Sequence, residues 1–225
     1  VDDAGRERVL KALAEHPVRC YVGLSYRFVA PFRKAAEIIN RPDAGKVVGI
    51  HHHWCAGGPG KLDPEKLNWR HRLEQSGGQL VYHCCHHLDW LEWAVGPIRS
   101  VSAVSYTTPS YPLQHEEEEL TATFSFRDGG VSVFNLSQRS HQNIQYGTIH
   151  CQNLAVTYEW GKNTHVKVWK TRSRAADETY EWSLTDVLGD GGELDRNALQ
   201  MKDFMDAYVS DRPMPCTIED GVRTY

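Results

Sequence analysis

The sequence predicts an α+β fold, an open, mostly antiparallel β-sheet with helices packed on one face. Three observations carry this. Up to Pro97, helix-period segments alternate with two short strand-like runs. From Ile98 onward, short runs rich in β-branched and aromatic residues follow one another, separated by turn signals such as Asp128-Gly129-Gly130 and Gly161-Lys162-Asn163. Within one run, Leu120, Ala122, Phe124 and Phe126 alternate with Thr121, Thr123 and Ser125. That period of two buries one sheet face and leaves the other for solvent, a covering layer or a second copy.

In order, Val9, Leu10, Leu13 and Ala14 stand at helical spacing over Arg6 to Glu15, and Pro17 stops that helix. Val18 to Leu24 reads as a strand. Pro31 fits the first turn of a helix running to Ile39 or Asn40. Lys46 to Trp54 reads as a second strand, and the Gly- and Pro-rich stretch Cys55 to Pro64 as a loop. Leu67 to Gln75, with Trp69, Arg70, His71 and Arg72 together, fits no single element.

Gly77-Gly78 and Gly96-Pro97 then bracket one helix of about four turns. Leu80, Cys84, Leu88, Leu91 and Val95 form its apolar stripe. Tyr82, His86, Asp89 and Trp93 recur on another face, so a phenol, an imidazole and a carboxylate line one side. Such a set suits a face turned to a cleft.

Strands are expected at Ile98 to Tyr106, Leu120 to Phe126, Val131 to Leu136, Ile144 to Cys151, Ala155 to Trp160, His165 to Lys170 and Tyr180 to Leu184. Short links between them imply an antiparallel meander. Tyr158, Trp160, Trp169, Tyr180 and Trp182 furnish either core or an apolar interface on the open face. Asp186 to Gly192 is a loop, and Met201, Phe204, Met205, Tyr208 and Val209 mark a closing amphipathic helix.

The 225 residues carry 25 basic and 29 acidic side chains, a net charge of −4 with no basic stripe. Nucleic acid is therefore an unexpected partner, and no run is long enough to span a membrane. Glu116 to Glu119 reads as a solvated strand edge or loop. Six irregularly spaced cysteines do not suggest a disulfide framework, so a reducing, cytoplasmic setting is expected. Val1 opens the chain without an initiator Met and Asp220 to Tyr225 reads as the start of another helix, so the chain reads as a fragment of a longer one. No G-x-G-x-x-G and no phosphate loop is present.

Several of these pieces together resemble the C-terminal domain of the glucose–fructose oxidoreductase / inositol dehydrogenase (Gfo/Idh/MocA) family. Val1 to Gly5 with its helix is similar to the segment downstream of that family's Glu-Lys-Pro motif. Val22 to Phe28 resembles the strand and Arg-aromatic signature that follows. Gly45-Lys46-Val47-Val48-Gly49-Ile50 matches the start of the next strand, and Gly77 to Gly96 the helix bearing an acid, a His four residues on and an Asp three further. Met201 to Tyr208 and Thr217-Ile218-Glu219-Asp220-Gly221 resemble the closing helix and its tail.

The resemblance implies one substrate-binding and oligomerisation domain over 1–225. Residues 1–17 trail a Rossmann domain absent from this sequence, and 193–225 form the closing helical segment. It implies an NAD(P)-dependent oxidoreductase acting on a sugar, polyol or related small molecule, and a homo-oligomer formed through the open sheet face. NAD or NADP would belong to the longer parent, with none held by this chain alone. Redox-assisted glycoside cleavage and non-catalytic sugar binding are the alternatives. By the same resemblance, His86 is the general acid/base on a sugar hydroxyl. Arg27 stands near the cofactor–substrate junction and belongs to both the cofactor and the substrate set. Tyr82 replaces the family's acid. Asp89 orients His86, binds a hydroxyl or caps a neighbouring element. Trp54, Trp69, Arg70 and His83 complete the substrate-binding set. His83, Cys84 and His87, with His51 to His53, have spacings that suggest a metal, but without a Cys-x-x-Cys pair no metal is assigned.

Overall fold

The computed structural model describes residues 3–57, 67–183 and 195–224. Helix α1 (Asp3–Glu15) leads, followed by a 3₁₀ turn (Ser25–Phe28), α2 (Ala30–Ile39) and β1 (Val47–Cys55). A 3₁₀ turn (Trp69–His71), α3 (Leu73–Ser76), a π-helical turn (Leu80–Cys84) and α4 (Cys85–Val95) occupy the middle. Then come β2 (Ile98–Tyr106), β3 (Glu119–Phe126), β4 (Val131–Ser137), β5 (Ile144–Cys151), β6 (Ala155–Trp160), β7 (His165–Trp169) and β8 (Glu178–Glu181). Helices α5 (Arg196–Val209) and α6 (Ile218–Thr224) close the chain. The Asp186–Gly192 loop and most of the Gly/Pro-rich stretch after Gly57 lie outside the described residues.

All eight strands form one sheet in the order β2-β3-β4-β1-β5-β6-β7-β8. Every neighbouring pair is antiparallel except β1 with β4. The expected meander is thus broken once, where β1 is inserted between β4 and β5. Its alternate residues Ile50, His52 and Trp54 are buried, so both its edges and one face are covered. Helices pack on that face. Phe32 and Ile38 of α2 and Trp90 and Leu91 of α4 meet Phe134, Ile149 and Tyr158 of the sheet in one core. Each such side chain, fully buried, contributes about 1.5–3 kcal/mol. Trp90 Nε1 donates to the Phe32 carbonyl at 3.1 Å, so the indole enters the core with its polar atom satisfied.

Two expectations need correction. Val18–Leu24 is not a strand. The Val22 N–H donates to the Cys216 carbonyl, and Tyr21 packs on Phe204 of α5 at 5.4 Å. The run's apolar content is spent on helix α5 instead of a sheet edge. Second, half of the acidic run is not solvated: Glu116 and Glu118 are 3% and 1% exposed, whereas Glu119 is exposed. Arg139 pairs with Glu118, and the Thr108 N–H donates to it at 2.7 Å. Of the two alternatives for the aromatic strand residues, the structure selects core for Tyr158 and Trp160, which lie under the helices, while Tyr180 and Trp182 pack partly against it. The open face instead carries Ser, Thr, Asn and His with exposed Val104, Tyr106 and Val131. Among the described residues, no helix is long and apolar enough to cross a membrane.

Candidate active site

The stretch that Gly77-Gly78 opens does not form one uniform helix. Gly77 (φ +72°) and Gly78 (φ +86°) take left-handed backbone. A Cβ at Gly77 would also lie 2.8 Å from Val81 Cγ1. The chain then makes the π-helical turn Leu80–Cys84 before settling into α4. The wider turn inserts an extra residue, which rotates what precedes it by about 100° relative to the helix that follows. Tyr82 and His86 therefore do not share the face that a regular helix would give them. Tyr82 and His83 turn into a cleft of about 610 Å³, and His86 is not part of its lining.

Aromatic faces from three elements form the cleft's wall: Tyr26, Trp54 and Trp160. Buried amides of Gln79, Gln138 and Gln145 face it, two of them from strand ends. The Tyr26 hydroxyl links the parts. It receives a hydrogen bond from Gln145 Nε2 at 3.2 Å and lies 3.2 Å from His83 Nε2. The His83 ring centre is 4.2 Å from that of Trp54. Burial, followed by the charges of His86, Arg196 and Arg70, pushes His83 down to about 4, so its imidazole is neutral near pH 7. Opposite, the Tyr82 hydroxyl donates to Gln79 Oε1 and lies 3.4 Å from Glu116 Oε1. Burial raises the Tyr82 phenol, and the Glu116 charge raises it further. Burial likewise pushes the Glu116 carboxyl up to about 7, against the hydrogen bond from Tyr82.

Of the residues expected from sequence, the structure brings Trp54, Arg70, Tyr82 and His83 together around this cleft. Trp69 is half exposed and packs edge-on to Tyr82 at 5.9 Å, behind the lining. His86, half buried, is stacked on the ring of Tyr26 at 5.0 Å. Its Nδ1 is buried without a hydrogen-bond partner among the described residues. Burial, with Arg196 adding, lowers His86 to about 4. Arg27 and Asp89 lie elsewhere, in a buried ion pair. Arg27 Nε donates to Asp89 Oδ2 at 2.8 Å and Nη2 to Oδ1 at 2.5 Å. Arg27 also donates to the Pro215 carbonyl at 2.9 Å, which ties α4 to the segment before α6. This pair borders a separate recess of about 100 Å³ with Trp93 and Asp220.

His52, His53 and His87 lie away from the cleft lining. His52 Nε2 is 2.7 Å from His87 Nδ1, and His52 Nδ1 is 2.7 Å from the Tyr158 hydroxyl, all deep in the core. Burial lowers both imidazoles, His52 to about 3, so the chain is uncharged and held by neutral hydrogen bonds. His53 stacks on Tyr146 at 4.7 Å on the open face. No group of three or more His, Cys, Asp or Glu among the described residues is arranged to hold a metal ion.

Sequence reasoning missed Tyr26, Gln79, Gln138, Gln145, Glu116 and Arg196 as cleft residues. A lone Gln at a strand end carries no local signal. Only the Glu116 run was visible, and its charge pointed to solvent.

The family model of the GFO/IDH/MocA C-terminal domain matches residues 32–157, more than half the chain. An uncharacterized oxidoreductase of Synechocystis sp., sll0816, is 28% identical over 90 residues, covering 40% of this chain and 24% of that protein. An NAD binding oxidoreductase from Klebsiella pneumoniae superposes with a TM-score of 0.79 at 16% identity, covering 99% of this chain and 65% of that one. A levoglucosan dehydrogenase in complex with NADH and levoglucosan gives 0.80 at 16% identity, covering 98% and 65%. UDP-N-acetylglucosamine 3-dehydrogenase from Acidithiobacillus ferrooxidans gives 0.72 at 16% identity, covering 100% and 64%. The chain therefore spans about a quarter of the curated relative and just under two thirds of these solved chains.

Proposed function

We propose, because this chain belongs to the GFO/IDH/MocA family, that it is the substrate-binding domain of an NAD(P)-dependent oxidoreductase acting on a sugar, polyol or related small molecule. One observation carries the reading: a single cleft joins aromatic faces (Trp54, Trp160, Tyr26) to buried amides (Gln79, Gln138, Gln145) and a neutral imidazole (His83). Aromatic rings cover the C–H faces of a sugar, and amides offer both donors and acceptors to its hydroxyls. The levoglucosan dehydrogenase and UDP-N-acetylglucosamine 3-dehydrogenase neighbours support that substrate class.

We infer that a dinucleotide would be held mainly outside this chain. Among the described residues no Gly-rich turn leads from a strand into a helix, and the sequence has no G-x-G-x-x-G. A nicotinamide held by a longer parent chain would supply the hydride chemistry. This chain's share is the proton. Oxidising an alcohol requires a base for the hydroxyl proton, and a neutral imidazole accepts it at nitrogen. The family resemblance gives that role to His86, whose ring stacks on Tyr26 just outside the cleft lining; we assign it there, with His83 and Tyr82 orienting hydroxyls inside the cleft and Trp54 and Arg70 bounding it. The Arg27–Asp89 pair positions α4 from behind. The open sheet face is our candidate for contact between copies.

In the full-length protein, NAD(P)H formation at 340 nm over a panel of sugars and polyols tests the activity. His86→Asn is expected to lower kcat at least about a hundredfold with the fold intact. No reduction of either nucleotide across the panel removes the oxidoreductase reading. An unchanged kcat removes His86 from it, and a loss confined to His83→Asn moves the proton to that imidazole.

A further inference from the structure

Arginines that are half buried or more usually find a carboxylate, and among the described residues three of them do. Arg27 pairs with Asp89, Arg41 with Glu178 and Arg19 with Asp211. Two arginines at the cleft depart from this. Arg196, half buried at the start of α5, lies over Trp160 at 5.0 Å and Tyr26 at 5.4 Å. Arg70, exposed at the rim, lies over Trp69 at 5.4 Å. Among the described residues neither guanidinium has an ion pair or a hydrogen-bond partner. Both lower His83, after burial and His86, so their fields converge inside the cleft.

Among the described residues, neither acid that lines the cleft is paired with them. Asp195 Oδ1 accepts from the Asn197 and Ala198 N–H groups at 2.7 and 3.2 Å and caps α5. Glu116 is turned toward Tyr82, and burial raises its carboxyl to about 7, against the hydrogen bond from Tyr82. Among the described residues, the other titratable lining groups are Tyr26, His71, Tyr82 and His83, none of them a further carboxylate. A guanidinium laid on two rings is already oriented, with its N–H edges free for a planar or tetrahedral anion.

We propose that the cleft takes a sugar or polyol carrying an anionic group, a carboxylate or a phosphate, with Arg196 as its anchor and Arg70 as a second contact at the rim. The proposal rests on the sugar-binding reading above and narrows its substrate class.

The test is calorimetric titration of the full chain, without nucleotide, using matched probes: D-glucose against D-glucuronate, D-galactose against D-galacturonate, and D-glucose 6-phosphate. A charged probe is expected to bind at least about tenfold tighter than its neutral counterpart, a margin that shrinks with added salt. Arg196→Gln should abolish the margin, Arg70→Gln should reduce it, and Arg196→Lys should keep part of it. Circular dichroism checks that each variant is folded. Preference for the phosphate or for the uronates decides which anion the site takes. Equal or tighter binding of the neutral sugars, no binding of any charged probe, or a margin that survives Arg196→Gln overturns the proposal. So does NADH binding alone that is lost in Arg196→Gln, because the guanidinium then serves the dinucleotide. Anion-selective binding without any NAD(P)H turnover would sink the oxidoreductase reading and leave this one standing, and turnover confined to neutral sugars would do the reverse.

Discussion

Removing the Asp89 carboxylate should destabilise the fold and leave ligand binding in the cleft largely unchanged. Asp89 and Arg27 are 2% and 7% exposed and share two hydrogen bonds. Burial disfavours the guanidinium charge, and the hydrogen bonds and charge of Asp89 outweigh that, so Arg27 remains protonated. Asp89→Ala leaves this cation without its partner. Stranding one member of a buried pair costs about 3–5 kcal/mol. Here the lower end is appropriate. Arg27 keeps the Pro215 carbonyl at 2.9 Å and gains from Asp220 at 3.5 Å, and the recess beside the pair admits water. A loss of about 3 kcal/mol corresponds to a fall in Tm of about 6–12 °C for a chain of this size. Urea unfolding at pH 7, followed by circular dichroism, measures it. The double substitution Arg27→Met/Asp89→Leu should recover most of the loss, because it removes both charges and fills the space. A loss below about 1 kcal/mol, with ligand binding abolished instead, would show that Asp89 is a ligand-contacting residue and that the pair does not hold α4 in place.

Other expectations follow from the same reasoning. Glu116 titrates at about 7 in the folded chain, above the ordinary 4.5, so it favours folding below pH 4.5 and that contribution is lost as the pH rises through about 7. Glu116→Gln should therefore become more stable than the parent chain as pH climbs from about 4.5 to about 8, by about 1–3 kcal/mol. Parallel stability–pH curves for the two proteins would contradict this. Gly147→Ala should cost about 3 kcal/mol, because a Cβ there collides with the His51 carbonyl and the Tyr158 hydroxyl, and the sheet backbone cannot retreat. A midpoint in urea unchanged from the parent would refute it. Tyr158→Phe should cost about 1–3 kcal/mol by leaving His52 Nδ1 buried without its partner at 2.7 Å. Denaturation at pH 7 checks this, and a neutral result would mean that water reaches the imidazole.

Much of the architecture is a local matter and was legible along the chain. The alternation of Leu120, Ala122, Phe124 and Phe126 with Thr and Ser needs only a strand with one buried face, and β3 has it. Gly96 and Pro97 end α4 by backbone geometry alone, and Pro31 starts α2 for the same reason. What tertiary structure decided is whatever depends on neighbours distant in sequence. Nothing in His51-His52-His53 says that β1 will lie between β4 and β5. A helical period of about 3.6 assigns Tyr82 and His86 to one face, and the π turn separates them because packing selects a wider turn than propensity does. Charge alone sends Glu116 and Glu118 to the solvent, whereas Arg139 and the Tyr82 hydroxyl meet them inside. The cleft itself draws Tyr26, Glu116, Gln145 and Arg196 from four distant segments. Their convergence is set by long-range packing, and local sequence carries no trace of it.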